Sequence, residues 1–161
     1  MITVEQVAQL PMYHRETIPT DYLDLMGHMN IRWYVALYDA AAWKFFESFG
    51  ITEAYYRAEE AGGFALKQFI QYLAEVRVGE TVAIYGRLLG RSAKRIHFIL
   101  FMVNETTHVL ASTFEVLGSH ADMRIRRTSP YPPQIAAKLD AVIAEQSVLD
   151  WDAPVCGVIS P

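Results

Sequence analysis

The sequence predicts an α+β protein in which one long helix is followed by a run of antiparallel strands. Residues 31–49 contain no glycine or proline and repeat apolar side chains at helical spacing. After Gly63 the apolar residues repeat with a period of two, and short polar turns separate the segments that follow. Helices and strands do not alternate, so the pattern does not favour a parallel sheet.

A strand and a loop are predicted before the long helix. Residues 12–19 are compatible with a strand, and the segment TDYLDLMGHMN that follows has the Asp, Gly and Asn residues typical of loops. The helix ends at Gly50, because glycine accepts the left-handed dihedral angles that terminate helices. Val35 belongs to its broad apolar side and rings such as Trp43 occur on the other side, so we predict that the helix is mostly enclosed.

The remaining elements are a second helix, four strands and a terminal helix. The second helix covers residues 52–61 and ends at Gly62 and Gly63. The strands cover residues 64–72, 81–89, 96–103 and 109–120. Short connections between consecutive strands predict an antiparallel meander. A surface helix over residues 134–146 follows the prolines that interrupt the sheet.

Composition limits the domain count and the classes of partner. A chain of 161 residues predicts one domain over residues 1–161, with its core at about 12–128 and a C-terminal helix and tail at 129–161. The net charge of −4 argues against a nucleic acid partner. Cys156 is the single cysteine, so no intrachain disulfide can form and a reducing compartment is expected. No apolar stretch reaches the ~20 residues of a membrane span, and we predict a cytoplasmic protein without membrane contact.

Candidate site residues are concentrated just before the long helix. Asp24, Gly27, His28 and Asn30 lie in the loop, and Ile31 begins the helix. The first amides of a helix lack intrahelical acceptors, and the helix dipole places partial positive charge at that end. This end of the helix can therefore stabilise an oxyanion. Asp24 could alternatively be a loop or capping residue, His28 could order the loop, and Asn30 is a plausible N-cap.

The segment resembles the Asp-x-x-Gly-His-x-Asn-x-x-x-Tyr signature of hotdog-fold acyl-CoA thioesterases of the 4-hydroxybenzoyl-CoA thioesterase-like group. Asp24 begins the match, Tyr34 ends it, and the element order agrees over about residues 12–128. The resemblance implies a long helix wrapped by a curved antiparallel sheet. It also implies hydrolysis of an acyl-CoA to a free acid and CoA, with Asp24 as general base or nucleophile. Residues 27–31 would then polarise the thioester carbonyl.

Other interpretations of these residues remain open. Some hotdog thioesterases carry their carboxylate on the helix, which makes Asp39 a second candidate, although an ion pair with Arg32 would explain it equally well. Asp24 and His28 could instead serve as the acid and base of a hotdog enoyl-thioester hydratase or dehydratase. A non-catalytic acyl-CoA-binding module is a further alternative, because fold does not fix function.

Coenzyme A would enter as part of the substrate, and no separate cofactor or metal is expected. The candidates for binding its phosphates are basic residues in one predicted turn, with a second cluster after the last long strand. They are Arg91, Lys94 and Arg95 in the turn, and Arg124, Arg126 and Arg127 in the second cluster. Charged turns are also common for solubility alone.

An obligate oligomer is expected. One helix cannot cover every apolar strand face, and we predict that the faces bearing Phe98, Phe101 and Phe114 need a second subunit. The family resemblance implies a homodimer or homotetramer with active sites at the subunit interface.

Overall fold

A computed structural model describes residues 2–161 of the chain. The helices are α1 (Val4–Val7), α2 (Ile31–Glu47), α3 (Glu53–Ala58) and α4 (Pro133–Gln146), and Thr20–Tyr22 forms a 3-10 turn. The strands are β1 (Met12–Thr17), β2 (Ala61–Tyr72), β3 (Thr81–Arg91), β4 (Arg95–Asn104), β5 (Val109–Asp122) and β6 (Arg127–Thr128). The predicted α+β class is confirmed.

The strands pair in the order β1-β3-β4-β5-β2, and β6 pairs with the end of β5. β1 runs antiparallel to β3, with Thr17 opposite Thr81. The predicted meander is confirmed for β3, β4 and β5. It is wrong for β2, which pairs with β5. β2 lies at one edge of the sheet, and β3 lies next to β1, which forms the other edge. The connection over residues 73–80 is long enough to carry the chain from β2 to β3.

The C-terminal end of α2 is closed by a glycine motif. Gly50 has a φ of +85°, in the left-handed region that favours glycine. Its amide donates to the carbonyl of Glu47 at 2.9 Å, and the amide of Ile51 donates to the carbonyl of Phe46 at 3.1 Å. This pair of bonds is a Schellman motif. The predicted role of Gly50 as helix terminator is confirmed.

The second predicted helix is shorter than expected. α3 is capped by the Thr52 hydroxyl, which accepts the Tyr55 amide at 3.0 Å, but it ends at Ala58. Gly62 and Gly63 were expected to terminate it and instead lie inside β2. A Cβ at Gly62 would lie 2.8 Å from the sulfur of Met123, so this glycine permits a close approach between strand and side chain.

The chain forms two compact units. The first contains the chain up to Phe45, Ile70–Gly86 and Leu100–Phe114, and the second contains Phe46–Phe69, Arg87–Ile99 and Glu115–Pro161.

Aromatic side chains of α2 form the core of the first unit. The Tyr38 ring stacks on Phe114 with centroids 4.9 Å apart, and the Phe45 ring packs edge-on against Tyr13 of β1 at 5.3 Å. Both helix residues are completely buried. Val35 and Trp43 of the same helix are exposed, so the prediction of a mostly enclosed helix is wrong at these positions.

Buried charges hold the segment after α4 in the second unit. The Arg87 guanidinium donates to the carbonyls of Trp151 at 2.8 Å and Gln146 at 3.1 Å. Glu115 is only 1% exposed, and its carboxylate accepts the Cys156 amide at 2.7 Å and lies 2.8 Å from Nε2 of His97. Bonds to buried charged groups are stronger than bonds between neutral groups, so these contacts fix a segment that lacks regular secondary structure.

The residues on which the oligomer prediction was based are covered within one chain. Phe98, Phe101 and Phe114 are 2%, 0% and 5% exposed, so the expectation that they need a second subunit is wrong. One group of exposed apolar residues lies instead on β2, at the edge of the sheet. Four of them are 39% to 47% exposed: Phe64, Leu66, Phe69 and Tyr72.

Candidate active site

The loop before α2 is closed at its base by backbone contacts. Leu23 and Met29 form an isolated antiparallel bridge, and the Asp24 amide donates to the His28 carbonyl at 3.0 Å. Gly27, whose φ is +84°, donates its amide to the Asp24 carbonyl at 3.1 Å. The left-handed conformation explains why a glycine stands at this turn. Asp24 and His28 are therefore brought to the two sides of one tight loop.

The Asp24 carboxylate is oriented by two neighbours. Its Oδ1 accepts the Met26 amide at 2.8 Å, and its Oδ2 lies 3.3 Å from Nδ1 of His28. The side chains of Asp24 and His28 are 17% and 33% exposed, so both can be reached from solvent. A fixed carboxylate that stays accessible can accept a proton from water or attack a bound carbonyl.

Asn30 caps the start of α2. Its Oδ1 accepts the Arg32 amide at 3.1 Å, and its carbonyl accepts the Trp33 amide at 2.9 Å. The alternative interpretation of Asn30 as an N-cap is thus confirmed. Ile31 is the first helical residue, and its amide belongs to the positions that lack an intrahelical acceptor. This amide is the donor that the helix start can offer to an oxyanion.

An aromatic pair adjoins this site and was not predicted. The Tyr22 and Trp33 rings stack with centroids 3.7 Å apart, and the guanidinium carbon of Arg32 lies 5.3 Å from the Trp33 centroid. The stack joins the residues just before the loop to the first turn of α2. Its two members are eleven positions apart across a loop, and no simple periodicity reveals such a pair.

Asp39 differs from Asp24 in its surroundings. It is exposed on α2 and forms no ion pair within residues 2–161, so the pairing with Arg32 is not observed. No backbone amide donates to its carboxylate in that part of the chain.

The two predicted basic clusters are partly engaged in ion pairs. Arg91 makes a two-pronged contact with Asp140 of α4, at 2.7 and 2.6 Å, which raises the pKa of the guanidinium. Arg124 makes a similar contact with Asp122 and lowers the pKa of that carboxyl to about 2.

The other basic residues are exposed. Lys94 and Arg95 lie at the turn between β3 and β4 and form no ion pair within the described chain, and Arg126 and Arg127 lie near β6. Among residues 2–161, no three His, Cys, Asp or Glu side chains are grouped so that they could hold a metal ion. None of the described helices is long and apolar enough to cross a membrane.

Comparison with known proteins gives one family match and several relatives. Residues 18–139 match the model of the Thioesterase-like superfamily. The chain is 29% identical over 133 residues to an L-carnitine dehydrogenase/betainyl-CoA thioesterase of Agrobacterium fabrum, covering 83% of this chain and 27% of the relative. The chain thus spans about a quarter of that relative's length. A betainyl-CoA thioesterase of Pseudomonas aeruginosa is 22% identical over 133 residues, which is 83% of each chain.

A solved structure resembles the chain over nearly its whole length. It is a hypothetical protein from Staphylococcus aureus in complex with CoA, with a TM-score of 0.84 and 21% identity, covering 94% of this chain and 96% of that one. This likeness concerns the fold, and it confirms the predicted hotdog fold.

Proposed function

The chain belongs to the Thioesterase-like superfamily, and from this we propose that it hydrolyses an acyl-CoA to a free acid and CoA. The observation that carries the proposal is the Asp24 carboxylate, which is oriented by the Met26 amide and accessible to solvent in the loop before α2. The relatives named betainyl-CoA thioesterase support the same reaction.

The proposed reaction begins with the thioester carbonyl at the start of α2. The Ile31 amide and the helix dipole stabilise the negative charge that develops on the carbonyl oxygen. As a general base, Asp24 removes a proton from water, the water oxygen attacks the carbonyl carbon, and CoA leaves as a thiolate that takes up a proton. As a nucleophile, Asp24 attacks that carbon itself, the thiolate leaves, and water hydrolyses the mixed anhydride. Gly27 and His28 keep the carboxylate in place.

A thiol-release assay tests the proposal against the two alternatives. Saturated acyl-CoA substrates should release free CoA thiol in the presence of the protein. Crotonyl-CoA that loses its enoyl absorbance without releasing thiol would identify a hydratase instead. Tight acyl-CoA binding with neither change would identify a binding module.

We further propose that the acyl group is short and cationic. The betainyl group of the relatives' named substrate carries a quaternary ammonium, and aromatic faces attract such cations. The stacked pair Tyr22 and Trp33 supplies aromatic surface beside the loop. The first unit also contains eight acidic and four basic side chains, so its net charge favours a cationic ligand.

Betainyl-CoA and 3,3-dimethylbutyryl-CoA test the acyl preference, because their acyl groups have the same shape and differ in charge. A cation–π contact of ~0.5–2 kcal/mol predicts a kcat/KM about twofold to thirtyfold higher for betainyl-CoA. Each kcat/KM value is divided by the rate constant for spontaneous hydrolysis of the same thioester, because the ammonium group makes the nearby carbonyl of betainyl-CoA more reactive. Equal corrected values would reject the cationic acyl group and leave the thioesterase proposal intact.

We assign the CoA phosphates to the turn between β3 and β4. Lys94 and Arg95 are exposed there, whereas Arg91 at the same turn makes a two-pronged contact with Asp140. Arg91 would therefore contribute mainly by holding the turn against α4. Arg124, Arg126 and Arg127 are the alternative cluster.

Replacing Lys94 and Arg95 together by Ala is expected to raise KM for acyl-CoA by about twofold to thirtyfold, since each of the two exposed ion pairs contributes ~0.2–1 kcal/mol. kcat should stay unchanged, because the phosphates are remote from the breaking bond. Added salt should raise the KM of the unsubstituted protein and have less effect on the variant. The matched control is Arg126→Ala with Arg127→Ala. A larger KM increase in that control would move the phosphate site to the second cluster.

We propose that two copies of the chain pair through their β2 strands. β2 is an edge strand with unpaired backbone groups along one side, and most of its side chains are exposed. Pairing with a second copy would satisfy those groups and cover the apolar residues. This arrangement supports a homodimer, and two such dimers could form a homotetramer.

Leu66→Lys is expected to convert the oligomer to a monomer at micromolar concentration, because it places like charges together at the proposed interface. Sedimentation or light scattering gives the mass. Val148→Lys, an exposed apolar residue after α4, is the control and should keep the mass of the unsubstituted protein. A monomeric unsubstituted protein would refute the pairing, as would a Leu66→Lys variant of unchanged mass.

A further inference from the structure

One peptide group in the connection between β2 and β3 supports the loop that carries Asp24. The carbonyl of Val76 accepts the Met29 amide at 2.7 Å. The amide at the other end of the same peptide group, that of Arg77, donates to Oε2 of Glu80 at 2.8 Å. A peptide group is planar and rigid, so a bond that orients its N–H also orients its carbonyl. The Glu80 carboxylate therefore sets the direction in which the Val76 carbonyl faces Met29.

The Glu80 carboxylate is itself held by a buried side chain. Its Oε2 accepts the side-chain amide of Asn104 at 2.7 Å, and Asn104, at the end of β4, is completely buried. Oδ1 of Asn104 accepts the amides of Thr106 and Thr107 at 3.1 and 3.2 Å, which fixes this side chain. The Glu80 backbone amide also donates to the Arg77 carbonyl at 3.2 Å. The peptide group is thereby tied to the end of β4, and all these residues belong to the first unit.

The loop depends on contacts at its base. Its tip, Leu25 and Met26, is exposed and so has little packing of its own. Met29 is buried and pairs with Leu23 across the base, and Asp24 follows Leu23 directly. A displacement of Met29 would therefore be passed to the Asp24 backbone through this bridge. The bond from Met29 to the peptide group opposes that displacement.

We propose that Glu80 is a positioning residue: through this peptide group it holds the Met29 end of the loop and thereby orients the Asp24 carboxylate. The effect on turnover rests on the proposed hydrolase function, whereas the anchoring of the loop does not. The negative charge of Glu80 strengthens the anchor, because a hydrogen bond to a charged acceptor is stronger than a neutral one and polarises the peptide group. Glu80 need not touch the substrate for this role.

Substitution of Glu80 tests the proposal, and Glu75 is the matched control. Glu75 is exposed in the same connection, directly before Val76, and its carboxylate pairs with the Arg77 guanidinium. Deuterium exchange of single amides, followed by NMR, and kcat with KM for acyl-CoA are measured where circular dichroism shows every variant folded. Glu80→Ala should speed exchange of the Met29 amide by about tenfold, the lower end of the range for a lost bond to a charged group.

The kinetic constants distinguish positioning from a purely structural role. Glu80→Ala should lower kcat by about threefold to tenfold with KM nearly unchanged, because the carboxylate acts in the chemical step. Glu80→Gln keeps an oxygen that can accept the Arg77 amide, so it should change exchange and kcat by less than about threefold. Glu75→Ala should leave exchange and kcat as they are. A purely structural role would lower the melting temperature of Glu80→Ala without lowering kcat in the folded variant.

Different outcomes separate the anchor from the proposed function. Arg77 is exposed, so its bond to Glu80 is what protects its amide, and unprotected exchange of this amide in the unsubstituted protein would overturn the inference without any variant. The inference is also wrong if Glu80→Ala exchanges and turns over like Glu75→Ala, or exchanges faster while an active enzyme keeps its kcat. If the unsubstituted protein releases no thiol, the proposed function fails, and faster Met29 exchange in Glu80→Ala would still support the anchoring.

Discussion

Asp24→Asn is expected to lower kcat by about 10²–10⁴-fold, the usual contribution of a positioned general base, with KM little changed. The amide nearly preserves the shape of the carboxylate, and its oxygen can still accept the Met26 amide that holds the loop. It can neither take a proton from water nor attack a carbonyl. Thiol release under saturating and limiting substrate measures both constants.

Asp39→Asn is the matched control for this substitution. Asp39 is exposed on α2, and its replacement should leave kcat unchanged. If Asp39→Asn is inactive and Asp24→Asn is not, the catalytic carboxylate lies on the helix and our assignment is wrong. If both variants turn over normally, neither acid is essential, and the helix start remains as the common element of the mechanism.

Labelled water separates the two roles proposed for Asp24. The reaction is run for a single turnover in water enriched in heavy oxygen. If Asp24 is a general base, the labelled water attacks the thioester and the label appears in the product acid. If Asp24 is a nucleophile and water attacks the Asp24 carbonyl of the anhydride, the product acid keeps an unlabelled oxygen from Asp24 and the label appears in the peptide that contains Asp24. Mass spectrometry of product and peptide distinguishes the two.

Phe45→Ala is expected to lower the free energy of unfolding by about 3–5 kcal/mol, as for other buried aromatic residues. Phe45 is completely buried and packs edge-on against Tyr13, and its ring would lie 3.0 Å from a Cβ at Gly86. The melting temperature should fall by about 10 °C. Thermal denaturation at one fixed protein concentration measures it, because oligomers melt at concentration-dependent temperatures.

Val35→Ala is the control on the same helix. Val35 is exposed, and the loss of its two methyl groups should change the free energy of unfolding by less than about 1 kcal/mol. Equal destabilisation by both substitutions would mean that the two positions on α2 are equally enclosed. That result would contradict the packing described for the first unit.

The features that sequence could predict are those set by neighbouring residues. The helical spacing of apolar side chains located α2, and Gly50 marked its end. Asp24 and His28 are four positions apart, so the loop that the sequence predicts already contains both partners of their contact. The cap by Asn30 is likewise a contact within one turn.

Contacts between distant parts of the chain could not be predicted in this way. Arg91 and Asp140 are 49 residues apart, and nothing local marks either as the partner of the other. The pairing of β2 with β5 is a similar case, because residue alternation predicts a strand but not its neighbour. Gly62 was interpreted as a helix terminator, whereas its role is to admit the Met123 side chain.

The buried charges of the second unit have a consequence for the order of events during synthesis. Arg87 and Glu115 bind backbone groups of Trp151 and Cys156, which a ribosome adds only later. At roughly 5–20 residues per second, Glu115 waits seconds for its partner amide. Until then its burial would leave that charge without one of its native bonds, which is costly. All residues of the first unit up to Phe114 have been synthesised by then, whereas the second unit can reach its final state only once Cys156 has left the exit tunnel.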